Sequence, residues 1–577
     1  MSFKFEAKNQ SLEETLFGIN ALRVPQFQRP YTWEEDQCND FWNDLVDDDS
    51  FFLGQFIFNY ESQQTEKVID IVDGQQRSTT ILILCAVLRD LATELGAADV
   101  AKVIQHTAML AALNFSGPKY KLTVSPALIS FFETHIQGEG NPINDDTTFN
   151  KENEEEKRAF DNYLYFRKQL GDLTEGESPS SKIDKIKALF EVLKSAQIIL
   201  TKIYDENDAY EIFESVNNTG VDLGVADLLK NFLFKKIKVE EGGSTGDIVD
   251  RWSEINENVP SSELTKFIRY YWLSKQKDFV TEAKLFKSIK NHAPPSWKVF
   301  LDELLSNAIL YNELRNPLDV DFSSIEGGEK VKSALVGIKE MNVTQSYVLL
   351  LSIYRNKDKI NTNWIKVFEA IEKFNFLYHA VSKLPANKVE KLYQSWAFQI
   401  ENLVISEQDP VTLRVSLEKE FNNIIKKLTS LIPPREVFEA GFIELSYKKK
   451  SLCRYLLSKI EESKSPSKEY ILNQPTITIE HILPQRPGKD WNLTQNQIKN
   501  YVHSIGNLTL LGKKPNGTIQ NKSILEKIKI LKDSTEIKIT QELLKEIEKD
   551  GVWNESSIKE RTAKLAYISY NEVWRIA

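Results

Sequence analysis

One stretch constrains the fold more than any other: residues 67–91, which read KVIDIV, then DGQQR, then STTILILCAVLRDL. The first block is short, apolar and β-branched, as a buried strand is, and the last has the length and apolar character of a buried helix. Ser78 or Thr79 is available as the helix cap. Between them lies a polar turn, Asp73-Gly74-Gln75-Gln76-Arg77. A strand that turns through glycine into a helix points free backbone N–H groups and the positive end of the helix dipole at one spot, which suits an anion. Arg77 adds a fork of donors there. The competing reading of so short a motif is a tight turn closed by a surface salt bridge.

Upstream, residues 20–45 read NALRVPQFQRPYTWEEDQCNDFWNDL. Pro25 keeps Val24 extended, and the spacing of Cys38, Phe41, Trp42 and Leu45 predicts a helix over 34–45. Gln28, Arg29, Tyr31 and Trp33 fall in the bend between, either as a shelf for bases and phosphates or as an aromatic hinge on the core. FFLGQFIFNY, residues 51–60, predicts a strand in a hairpin with 67–72. Downstream, residues 85–200 carry mostly helical pattern, broken by polar segments at 137–157 and 174–181 that read as exposed loops. Residues 199–237 predict helices over 209–216 and Val225–Phe234, with a turn at Asn217 to Gly220 between them and Asp227 and Lys230 near the start of the second.

VPQFQRPYTW, FFLG and IVDGQQRSTT, in this order, resemble the N-terminal domain of the GmrSD-type modification-dependent restriction proteins and of the phosphorothioate-sensing SspE proteins. IFESVNNTGVDLGVADLLK resembles a second signature of the same family. The resemblance implies a ParB/sulfiredoxin-like α+β domain that binds and hydrolyses a nucleotide around Gln28, Arg29, Tyr31, Asp73, Gly74, Gln75, Gln76 and Arg77. Asn217, Gly220, Asp227 and Lys230 would help close that pocket, although a plain helical hairpin explains Asp227 and Lys230 equally well. Ser78 stands where family members usually have leucine. No G-x-x-x-x-G-K-[ST] occurs, so the P-loop is not the implied device.

The segment EEGGSTGD at 240–247 marks a boundary, and from 248 to 430 helix follows helix with apolar faces and no catalytic spacing. His292 and His379 lie in it, the latter amid aromatics as a core histidine. The chain of 577 residues has a net charge of -10, which argues against non-specific coating of nucleic acid. From Arg486 onward, however, Lys and Arg outnumber Asp and Glu by 16 to 11, which makes the C-terminal part the expected nucleic-acid face. Three widely spaced cysteines, no secretory signal and no membrane-length apolar run fit a cytoplasmic protein.

Residues 475–530 hold a second constellation, with a strand predicted over 476–482, another over 507–511, and a helix over 518–530 behind Asn516-Gly517. That order is β, β, α, with Glu480-His481 on the first strand. Phosphodiester hydrolysis needs a base for water and a cation for the charge developing on phosphate, which a histidine beside oxygen ligands supplies. EHILPQ, GNLTLL and NGTIQNK resemble the HNH, or His-Me finger, domain at the C-terminus of the same family. By position, the resemblance makes His481 the general base, Glu480 and Asn516 ligands of Mg2+, and Asn507 the residue that orients His481 or the scissile strand. Asn521 competes with Asn516 as ligand, and His503 is placed to touch phosphate. Lys513, Lys514, Lys522, Lys527 and Lys529 would face the substrate backbone or form a solvated helix face.

The expected fold class is thus multidomain α+β: a ParB-like domain at 1–245, a helical connector at 246–430, and at 431–577 a ββα finger embedded in helices. The expected function is an NTP-regulated, modification-dependent DNA endonuclease in anti-phage defence, with Mg2+ and GTP or ATP as cofactors. The alternatives are a nucleotide-dependent ParB-like DNA-binding regulator with an inactive ββα clamp and an RNA-directed toxin. Monomer and homodimer both remain open.

Overall fold

The computed structural model describes all residues except 1–4, 27, 48–50, 62–67, 112–119, 145, 205–224, 293, 361–362, 465–475, 513–518, 520, 533–534 and 577. The chain divides into two compact units, residues 1–253 with 290–301, and residues 254–289 with 302–577. Most of 246–430 therefore groups with residues 431–577 in the second unit.

In the first unit six strands make one mixed sheet. They are β1 (Phe5–Ser11), β2 (Ala21–Arg23), β3 (Phe52–Asn59), β4 (Val68–Asp73), β5 (Leu122–Thr123) and β6 (Gln197–Ile203), in the order β1-β6-β3-β4-β2-β5. The expected hairpin is β3 against β4, antiparallel, with a register shift between Ile57 and Phe58. β4 leads through Gly74 into the helix Gln75–Glu94. Gly74 has φ 95°, and a Cβ there would lie 2.4 Å from the Phe56 ring, so no other residue fits the turn without moving the sheet. Gly74 is itself the N-cap; Ser78 lies within the helix, its hydroxyl donating back to the Gly74 carbonyl at 2.9 Å, so the expected Ser78 or Thr79 cap is not used. Residues 81 to 88 of this helix are at most 1% exposed. A helix buried on every side needs no polar face, which explains the unbroken ILILCAVL run. The helices Glu154–Leu173 and Pro179–Ser195 pack against it.

In the second unit, helices carry a two-stranded ribbon of β7 (Ile477–His481) and β8 (Leu508–Gly512), antiparallel, with Glu480 opposite Thr509 and His481 opposite Leu508. The helix expected from 518 onward runs over Ile524–Lys532 among the described residues, and Lys538–Asp550 and Glu555–Ile568 follow. Ile482, Leu483, Leu511, Ile528, Leu531 and Leu543 form the core beneath the ribbon. The Glu461 carboxylate accepts the backbone N–H groups of Lys538 and Ile539 at 2.9 and 2.8 Å, satisfying the first turn of that helix. His379 is half-buried, edge-on to Tyr378, with Nδ1 3.1 Å from the Leu384 carbonyl and Nε2 without a hydrogen-bond partner among the described residues.

Candidate functional site

The two polar stretches of the first unit meet at the start of the helix Gln75–Glu94. Gln76 brackets the bend, its Nε2 donating to the Pro30 carbonyl at 2.9 Å and its Oε1 accepting the Thr32 N–H at 2.8 Å. Gln28 donates to the Val72 carbonyl at 2.8 Å, and the Tyr31 hydroxyl lies 2.7 Å from Thr80 Oγ1 and accepts from Asn162 at 2.9 Å. These residues lock the bend onto the sheet. Arg77 does the same: it donates to the carbonyls of Leu53 (2.5 Å) and Gln55 (2.7 Å), reaches Asp73 at 3.4 Å, and stacks 4.6 Å from the Phe56 ring centre. The fork expected to hold an anion is turned inward, because β4 pairs with β3 only over Ile57 to Asn59 and so gives the carbonyls of Leu53 and Gln55 no donor, a want that Arg77 fills.

Arg29 behaves differently. It is half-buried, makes no ion pair with a described residue, and lines a small cleft with Tyr31, Gln75, Gln76, Ser125 and Glu155. Lys230 approaches the same bend, its Nζ donating to the Gln28 carbonyl at 3.1 Å. Burial pushes Lys230 down to about 8, against the pull of Asp227 and Glu155. Glu155 is the residue that sequence reasoning missed here, since its run of acids was read as an exposed loop. It starts the helix Glu154–Leu173, and Glu155, Ala159, Asn162 and Phe166 are all buried on that helix. Their spacing of 4, 3 and 4 was the available signal. Burial raises the Glu155 carboxyl above its ordinary range, with Lys230 and Arg158 opposing.

In the second unit His481 ends β7. Its Nε2 lies 3.2 Å from Nδ1 of His503, its Nδ1 lies 3.4 Å from Nε2 of Gln485, and the Tyr447 ring meets it edge-on at 4.7 Å. This pattern fits one neutral tautomer, with Nε2–H donating to His503 and the Nδ1 lone pair facing the Gln485 amide. His481 is 6% exposed, but Gln485 above it is exposed and His503 and Tyr447 are half-exposed, so one layer of surface side chains covers the ring. Burial, with the repulsion of His503 and Lys527, pushes His481 down to about 4. His503, set beside His481 by the turn before β8, is thus a ring partner.

Two expected site residues are buried and bonded within the fold. Asn507 is fully buried: its Oδ1 accepts from Leu483 N–H (2.8 Å) and Trp553 Nε1 (3.0 Å), and its Nδ2 donates to the carbonyls of Leu483 (2.9 Å) and Val502 (2.8 Å). It fixes the backbone just after His481 and touches neither the imidazole nor the surface. Lys527 cannot face DNA, because its side chain is 0% exposed, bonded to Glu480 Oε1 at 2.7 Å and to the His481 carbonyl at 2.9 Å. Glu480, expected as a metal ligand, therefore already has a cation, and burial raises its carboxyl while Lys527 opposes. Asn521, Lys522 and Lys529 are exposed. Asn217, Gly220, Lys513, Lys514 and Asn516, and the helix expected over 209–216, lie outside the described residues. Among the described residues no group of three or more His, Cys, Asp or Glu side chains is placed to hold a metal, and no helix is long and apolar enough to cross a membrane.

Residues 12–234 match the family model described as the GmrSD restriction endonuclease N-terminal domain, and residues 432–568 match that of the GmrSD restriction endonuclease C-terminal domain. No curated protein matches the chain.

Proposed function

The chain belongs to the GmrSD family of restriction endonucleases, and from that premise we propose that it is an NTP-regulated, modification-dependent DNA endonuclease of anti-phage defence, with His481 as its general base. What supports this reading most is the neutral imidazole at the end of β7. A base that takes a proton from water must be unprotonated at working pH, and burial, His503 and Lys527 favour that state. Asn507 and Trp553 hold the following backbone, so the ring is anchored from below. In the proposed step water attacks the DNA phosphorus, its proton passes to His481, and the sugar oxygen leaves. Gln485 has to swing aside for this. Of the five lysines expected to face DNA, exposed Lys522 and Lys529 are the described ones left to meet the phosphates.

A bound Mg2+ or other divalent cation would supply charge stabilisation for phosphate and leaving oxygen. The described donors do not by themselves fit such a centre, since Glu480 is already paired with Lys527. In the first unit, the proposal places an NTP, GTP or ATP, at Arg29, Lys230 and the Gly74 turn, where two cations stand beside a helix N-terminus. The low exposure of His481 and the Glu480–Lys527 pair favour one second reading, a nucleotide-dependent clamp that binds DNA without cutting.

Incubating the protein with unmodified, glucosylated and phosphorothioated plasmid in Mg2+, with and without GTP or ATP, tests the proposal. We expect nicking or linearisation of a modified plasmid, altered by nucleotide. Supercoiled DNA that persists on every substrate would overturn it in favour of the clamp.

A further inference from the structure

The cleft of the first unit holds two acceptors, one on Gln75 and one on Glu155, that have no donor among the described residues. Gln75 is 6% exposed; its Nε2 leans on the Arg29 carbonyl at 3.4 Å, and its Oε1 is buried without any hydrogen-bond partner. A buried amide oxygen without a donor is costly, so this position calls for a donor from outside the fold. Glu155 lines the same cleft. Both of its donors, the Tyr31 N–H at 2.9 Å and the Ser125 hydroxyl at 2.7 Å, fall on Oε2, and Oε1 has no donor among the described residues. The cleft that both residues line has room for about one water molecule.

We propose that Glu155 is the catalytic base of nucleotide hydrolysis in the first unit, and that Gln75 Oε1 holds the other hydrogen of the attacking water. This rests on the reading of the cleft as an NTP site and adds the chemistry of that site. The cleft is too small for a nucleotide, so only the terminal phosphoryl end meets its mouth, where Arg29 and Lys230 supply positive charge. The water oxygen bonds to the γ-phosphorus as the bond from that phosphorus to the β–γ bridging oxygen breaks. The electron pair of that bond stays on the departing diphosphate, and the water proton ends on Glu155. NDP and inorganic phosphate are the products.

Glu155 is well built for the task. Asn153 caps its helix through the N–H groups of Glu155 and Glu156, and Tyr31 and Ser125 hold one carboxylate oxygen so that the other is free. The charged and titratable groups facing it are Lys230 from the helix Val225–Phe234, Arg29 and Tyr31 from the bend, and Arg158 from its own helix. Burial raises its carboxyl toward the working pH, where a base is most effective.

The test is phosphate release from GTP and ATP by the full chain, alongside binding of a non-hydrolysable analogue and thermal melting. For Glu155→Gln we expect kcat to fall by about 100-fold or more while analogue affinity changes less than about threefold. Glu155→Asp should recover part of the rate, and the acid limb of the wild-type kcat profile should disappear in Glu155→Gln. Should Glu155→Gln lower the melting temperature, Gln75→Leu serves instead: we expect kcat to fall by about tenfold with melting unchanged. A wild-type kcat in folded Glu155→Gln or Gln75→Leu overturns this inference alone. Absence of phosphate release by the wild-type protein overturns the NTP reading and this inference with it.

Discussion

Arg77 in the first unit and His481 in the second both stand out in the sequence, yet they end in opposite situations. The Arg77 guanidinium is folded back on the carbonyls of Leu53 and Gln55, whereas the His481 ring projects from the end of a strand toward His503 and Gln485. The difference follows from the backbone around each. A glycine turn beside an irregular hairpin leaves carbonyls without partners, and a long cation nearby is drawn in to satisfy them. A two-stranded ribbon in regular register satisfies its own backbone and leaves a terminal side chain to meet other side chains, as His481 meets His503 and Gln485. A motif therefore mixes side chains spent on backbone carbonyls with side chains that meet only other side chains, and the local hydrogen-bond balance separates the two.

Four substitutions sharpen or break this contrast. The largest effect is expected for Lys527→Met, which strands the Glu480 carboxylate and should cost about 3–5 kcal/mol in urea unfolding. The salt dependence of DNA binding should not change in that variant; if it does, Lys527 meets DNA after all. Next, Arg77→Ala should cost about 1–3 kcal/mol by leaving two part-buried carbonyls unpaired. Arg29→Ala should leave melting unchanged and weaken nucleotide binding. A reversal of those two results would make Arg77 the phosphate ligand and erase the distinction. The smallest effect belongs to exposed Lys522: Lys522→Ala should lower the salt slope of DNA binding by about 0.9 with stability intact.

Much of this architecture could be read from residue order. The β3–β4 hairpin, the helix Gln75–Glu94 and the order of β7, β8 and the helix Ile524–Lys532 follow from alternation, apolar run length and turn residues. What could not be read is side-chain direction. Lys527 illustrates why: Ile524, Lys527, Ile528 and Leu531 share the spacing of one helix face, so the lysine stands on the apolar stripe and is buried with it. Counting it among surface lysines overlooked that position. Ser78 and Thr79 were expected as caps because both are good cap types, but Gly74, in the left-handed conformation, ends the strand four residues earlier. Glu155 and Arg29 are far apart in the chain and meet only because the helix Glu154–Leu173 packs on the bend, a tertiary contact that no local pattern encodes. The sheet order has the same character, since β6 pairs with both β1 and β3 across long separations.

The most direct measurement assays one preparation of His481→Ala for both plasmid cleavage and phosphate release from NTP. We expect cleavage to drop by about 100-fold to 10,000-fold, as loss of a general base does, while phosphate release stays at the wild-type rate. Cleavage that survives in this variant would contradict the assignment of His481 and, with it, the placement of the nuclease chemistry at the end of β7.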